Sequence, residues 1–161
     1  MTRRELREHC FKLLFCTAFY PNEEVEEQIE QYFGEPQETD DDPEGTGEVI
    51  HDPAMDVFDG GYVREKVQKI VEKVPELDEE IGRVAEGWSV TRMGREELTI
   101  LRLALYEIKY EEDIPEKVSV NEAVELAKKF GGRDSAPFVN GILAKLMPAE
   151  GKGGKPEEEK A

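Results

Sequence analysis

Apolar residues in this chain recur at every third or fourth position, and no stretch shows convincing alternation with a period of two. Side chains three or four apart share one face of a helix, whereas strand side chains alternate between faces. The pattern therefore predicts an all-α protein. Its clearest instance is Leu98, Leu101, Leu105 and Ile108, widened by Ile100 and Leu103 into a stripe broad enough for a central helix touched on several sides. No Asn-Gly or Asp-Gly pair joins two strand-like runs, since Asp59-Gly60 precedes a helix. No internal repeat is evident.

The same periodicity predicts about seven helices. Leu6, Cys10, Leu13, Leu14 and Thr17 mark the first, from Thr2 to about Tyr20, stopped by Pro21-Asn22. A second runs from Glu23 to Phe33. Val63, Val67, Ile70, Val71 and Val74 define a third, and Pro75 can open a fourth carrying Leu77, Ile81, Val84, Ala85 and Trp88. The fifth spans Glu96 to Tyr110. Ser119-Val120-Asn121-Glu122 has the form of a capping box and predicts the start of the sixth, with Ala123, Val124, Ala127 and Phe130 on its inner face. Gly131-Gly132 ends it. Asp134 or Ser135 caps the seventh, which carries Phe138, Val139, Ile142, Leu143 and Leu146.

Charge is distributed unevenly. The 161 residues carry a formal net charge of -17. Residues 34–60 hold ten acids and no Lys or Arg, so the rest of the chain stands at only -7. The segment from Gly34 to Gly61 is also rich in Gly and Pro and reads as a long mobile loop. Residues 148–161 are mainly Gly, Lys, Pro and Glu and read as a disordered tail. In contrast, Arg3, Arg4, Arg7 and Lys12 outweigh Glu5 and Glu8 at the N-terminus. Because fields act over about 8–10 Å in physiological salt, the acidic total argues against a broad nucleic-acid coat but leaves room for a small basic site.

Several classes are disfavoured. No run approaches the ~18 apolar residues of a membrane span, and no secretory leader precedes the first arginines. Cys10 and Cys16, on one helix, would lie about 9 Å apart along its axis, too far for a disulfide, so free thiols in a reducing cytoplasm are expected. Two histidines, His9 and His51, with no CxxC or HExxH, give no metal site. There is no Walker loop, GxGxxG or nucleophile elbow. His9 and Cys10 point about 100° apart on a helix and cannot face one another as a catalytic pair. Neither an enzyme nor a cofactor is expected.

Three segments carry a resemblance. They are Arg3-Arg4-Glu5-Leu6-Arg7-Glu8, the run from Glu97 to Glu107 (ELTILRLALYE), and the run Val120 to Gly131 (VNEAVELAKKFG) followed by Asp134-Ser135 and Phe138-Val139-Asn140-Gly141-Ile142-Leu143. In this order they resemble the NusB family of bacterial transcription antitermination factors over nearly all of residues 1–147, with the acidic segment and the tail outside the resemblance. The resemblance implies two small helical subdomains sharing one core. It also implies binding to the boxA element of nascent RNA, a heterodimer with NusE (a small-subunit ribosomal protein), indirect engagement of the RNA polymerase elongation complex on ribosomal RNA operons, and no catalysis.

By that resemblance Arg3, Arg4 and Arg7 contact RNA, as guanidinium groups neutralise phosphates and stack on bases. Lys12 could extend the patch. Phe130, Asp134 and Phe138 belong to a second RNA corner, where aromatic planes take unstacked bases and a carboxylate accepts from a base amino group. Arg133 would add a phosphate contact and Asn140 would reach the same surface. Phe15 and Glu97 match positions that meet NusE. Each has a plainer reading as well: a frayed basic terminus, core aromatics, an N-cap, and a first-turn acid favoured by the helix dipole. Two other functions fit a similar sequence. One is a homodimeric protein-interaction module without specific RNA binding. The other is the helical domain that precedes some RNA cytosine methyltransferases, although no glycine-rich cofactor motif follows here. The acidic segment is either a tolerated surface insertion or a polyanion that shields the basic patch.

Overall fold

The computed structural model describes residues 2–17, 22–34, 57–85 and 93–147. Among them are six α-helices and a short 3₁₀ turn, with no strand. The helices are α1 (Arg3–Thr17), α2 (Val25–Gly34), α3 (Val57–Val84), α4 (Arg95–Tyr110), α5 (Glu116–Phe130) and α6 (Ser135–Leu146); the turn is Asn22–Glu24. The chain divides into two compact units, Met1–Lys69 and Ile70–Ala161. Trp88, the bulk of the acidic segment and the tail after Met147 lie outside the described residues. The two ends of the acidic segment, Gly34 and Val57–Gly61, are helical.

The expected third and fourth helices are one. Pro75 sits inside α3, where it offers no N–H and crowds the preceding turn. The helix continues because its apolar stripe does. Val63, Val67, Ile70, Leu77 and Ile81 are all fully buried, and with Val74 they follow a 4-3-4-3-4 spacing that keeps phase through the proline. Each such aliphatic side chain contributes about 1.5–3 kcal/mol on burial, and together they outweigh the ~3 kcal/mol cost of one interior proline. Since Pro75 is exposed, Pro75→Ala restores a backbone donor without disturbing the core. The expected result is a urea midpoint raised by the equivalent of about 1–2 kcal/mol with an unchanged slope.

In the first unit, α1 begins at a capping box, Thr2-Arg3-Arg4-Glu5. Thr2 N donates to Glu5 Oε1 at 2.8 Å, and Glu5 N donates to Thr2 Oγ1 at 3.1 Å. Helices α1 and α2 are joined by a buried hydrogen bond of 2.7 Å between His9 Nδ1 and the Tyr32 hydroxyl, with the rings edge to face. Burial, and then the neighbouring Cys16 and Cys10, push the Tyr32 phenol above its ordinary range, so it stays protonated. Arg64 of α3 reaches Glu30 at 2.5 Å and stacks over Phe33, while Gln68 Nε2 donates to Glu26 at 2.7 Å.

In the second unit α4 is central, as its wide stripe predicts: Thr99–Leu101 and Leu103–Ile108 are buried. It packs on α5 and α6, which also pack on each other. Arg102 forks onto Asp78 of α3, its Nε and a terminal nitrogen donating at 2.8 and 2.7 Å. Lys109 bridges Glu76 (2.9 Å) and Glu80, and the Tyr110 hydroxyl donates to Glu76. The Tyr110 and then the Lys109 hydrogen bonds hold the Glu76 carboxyl below its usual range.

The capping box expected at Ser119–Glu122 is not used. Helix α5 starts a turn earlier, at Glu116, with extended Pro115 as its N-cap accepting from the backbone N–H groups of Val118 and Ser119. Ser119 is an interior residue. Its hydroxyl donates to Glu107 Oε1 at 2.8 Å, and both residues are shut off from solvent at 1% and 0% exposure.

Candidate functional site

The residues that the sequence singles out fall into one group in each unit. In the first unit they all lie on α1. Arg3 and Arg4 occupy its first turn and are exposed. Their charges add to the positive end of the helix dipole, so this turn is the most favourable place on α1 for an anion. Lys12 is half-buried, and half-buried Phe15 stacks on Phe11 with ring centroids 6.0 Å apart. Arg7 departs from the expected exposed trio, for it is buried at 7% exposure. The reason is helical phase. Residues 7, 10, 14 and 17 repeat at spacings of three and four, and Cys10, Leu14 and Thr17 are buried with it.

In the second unit the group surrounds the turn between α5 and α6. Arg133 and Asp134 are exposed at its tip, and Phe130 and Phe138 are half-buried on the helices that flank it. Lys129 Nζ lies 5.5 Å over the Phe130 ring. Asn140 is exposed farther along α6. Asp134 holds the N-cap position of α6 but makes no side-chain capping hydrogen bond. Its carboxylate is therefore exposed without doing the local work that the plainer reading gave it. The corner offers an acceptor, a guanidinium and two half-buried aromatic rings, which suits unstacked bases and phosphates better than a metal. Among the described residues no group of His, Cys, Asp or Glu could hold a metal ion. No described helix is long and apolar enough to cross a membrane.

Two features of this corner are not visible in the sequence. Glu97, expected as a partner contact or as a first-turn acid favoured by the helix dipole, accepts a hydrogen bond from the Ser135 hydroxyl. Ser135 is 2% exposed, and its Oγ also accepts from the backbone N–H of Gly132 at 2.9 Å. Gly131 matters for space rather than for a left-handed backbone. It is extended (φ -98°, ψ -172°), and a Cβ there would stand 2.5 Å from Ser135 Oγ and 2.8 Å from the Ala127 carbonyl oxygen. A Cβ on Gly132 would meet nothing within 4 Å.

Likeness to known proteins decides the family. The NusB family model matches residues 4–148. The chain belongs to the NusB family. It is 44% identical over 148 residues to the transcription antitermination protein NusB of Agathobacter rectalis and 42% identical over 147 residues to that of Lachnoclostridium phytofermentans. Each match covers 91% of this chain and 99% of the relative. Among solved structures, T. maritima NusB superposes with a TM-score of 0.73 at 33% identity, over 91% of this chain and 90% of that one. A chain from the crystal structure of a plectonemic RNA supercoil superposes with a TM-score of 0.66 at 22% identity, over 89% and 92% respectively, which bears on the fold alone. The NusB family match takes in both groups of candidate residues except Arg3, which lies one position before it.

Proposed function

We propose that this chain is a non-enzymatic transcription antitermination factor that binds boxA RNA together with NusE. The observation that carries the reading is family membership across residues 4–148, with relatives of nearly the same extent that are named for antitermination. The exposed chemistry agrees with it. Arg3 and Arg4 neutralise phosphates at the start of α1, with Lys12 farther along the helix. Phe130 and Phe138 supply aromatic rings for stacking, Arg133 a phosphate contact, Asp134 an acceptor for a base amino group, and Asn140 a further polar contact. Phe15 and Glu97 meet NusE. The protein's work is assembly: RNA and NusE each raise the affinity for the other by the same factor, and the complex engages RNA polymerase.

The test is fluorescence anisotropy of a short boxA RNA titrated with the protein, with and without NusE, against a scrambled RNA at two salt concentrations. Selective binding that NusE strengthens supports the reading. Equal binding of the scrambled RNA, or no binding even with NusE present, would sink it. In that case light scattering would ask whether the chain is a homodimeric interaction module.

A further inference from the structure

We propose that Ser135, anchored by Glu97, is the positioning residue that sets the turn carrying Arg133 and Asp134 for reading RNA bases. The proposal rests on the reading of this corner as an RNA surface. It adds two residues, a buried serine and the first-turn glutamate of α4, in a role distinct from touching the ligand.

The turn is closed twice by one residue. Ser135 N donates to the Gly132 carbonyl at 3.2 Å, and Gly132 N donates back to Ser135 Oγ at 2.9 Å. Arg133 and Asp134 are the two residues inside that ring, and both are exposed. A serine hydroxyl has a single proton to give. Here it goes to Glu97, 38 positions back in the chain, at the start of α4. The carboxylate polarises the hydroxyl and strengthens the oxygen as an acceptor for the Gly132 N–H. The dipole of α4 favours the charge on Glu97 where it stands. Gly131 allows Ser135 to approach this closely, since any side chain there would strike Ser135. The turn is thus tied to the N-terminus of α4 as well as to its own flanking helices.

That tie matters unequally for the two ways of holding RNA. Attraction between an arginine and a phosphate tolerates displacement, whereas a hydrogen bond between a carboxylate and a base edge weakens steeply with distance and angle. Loosening the turn should therefore cost discrimination between sequences more than general affinity for RNA.

The experiment compares the full-length wild type with Ser135→Ala, Glu97→Ala and Glu97→Gln, titrated without NusE so that any NusE contact made by Glu97 does not enter. Glutamine keeps an oxygen that can accept from Ser135, so it serves as the conservative rescue. The boxA-to-scrambled affinity ratio is expected to fall about tenfold in both alanine variants, the worth of one well-placed base contact. Glu97→Gln is expected to stay within about twofold, and the salt slope on scrambled RNA to stay unchanged in all three. In ¹⁵N-labelled protein the Gly132 amide should exchange faster in the two alanine variants and not in Glu97→Gln. A merely structural role would lower the melting temperature and leave the affinity ratio of the folded protein intact. An unchanged ratio in Ser135→Ala and Glu97→Ala, with wild-type selectivity present, overturns this proposal alone. A Glu97→Gln ratio as low as that of Glu97→Ala overturns it as well, because the charge and not the tie would be at work. A wild type with no preference for boxA either alone or with NusE added overturns the RNA reading and this proposal with it; where the preference appears only with NusE, the ratio is read with NusE present and an unchanged ratio in Ser135→Ala overturns the proposal.

Discussion

Replacing Arg3 and Arg4 together by alanine is expected to weaken boxA binding about ten- to hundredfold at low salt, with little change in stability. Hydrogen bonds to charged groups are worth about 1.5–3 kcal/mol, less where both partners remain wet, and two exposed arginines are at stake. The diagnostic quantity is the salt dependence. Each phosphate of a single strand that a cation no longer neutralises lowers the slope of log affinity against log salt by about 0.7, so the double variant should show a slope shallower by about 1.4. Lysine at both positions keeps the point charges and most of that slope but gives up the forked guanidinium geometry. Arg7→Ala should behave differently, because Arg7 is buried on the core-facing side of α1. It should lower the melting temperature, where the Arg3 and Arg4 changes do not. An equal effect of all three alanine substitutions on RNA binding, with none on stability, would contradict the placement of Arg7.

The largest expected effect on stability lies at Glu107. It has 0% exposure and accepts the hydroxyl proton of Ser119, itself 1% exposed. Glu107→Ala removes the acceptor, strands a buried hydroxyl and opens a void between α4 and α5. The combined loss is about 3 kcal/mol or more. Ser119→Ala should cost about 1–2 kcal/mol, and Glu107→Gln less than Glu107→Ala because the amide oxygen still accepts. Urea unfolding of the single and double variants measures the coupling between the two sites. Strict additivity of Glu107→Ala and Ser119→Ala would mean that the hydrogen bond carries nothing.

These two cases show what the sequence discloses and what it hides. Helices and their buried faces are legible because they repeat: Leu101, Leu105 and Ile108 sit where their spacing puts them. Expectation and structure part where a local rule is allowed to outrank that repeat. Pro75 suggests a break, yet Val67, Ile70, Leu77 and Ile81 keep phase through it. Ser119–Glu122 has the letters of a capping box, yet Ser119 is needed inside α5 for Glu107; the box in use is Thr2–Glu5. The burial of Arg7 is implied by its phase with Cys10 and Leu14 but is obscured by the run of arginines around it. The tie between Ser135 and Glu97 is not legible at all, since no spacing rule links positions 38 apart in different helices. The candidate residues themselves come from matching motifs, and only the structure distinguishes exposed Asp134, which makes no capping bond, from buried Ser135 beside it.

The two neighbouring glycines after α5 look interchangeable as letters, and they are not interchangeable to evolution. Position 131 has no room for a methyl group, because Ser135 and the backbone carbonyl of Ala127 both stand in its way, so a change at 135 alone does not open it. Position 132 faces open space and can vary independently, alongside its exposed neighbour Arg133. A side chain can therefore be added to this turn at 132 without disturbing its frame, whereas 131 is held to glycine by the backbone as well as by Ser135.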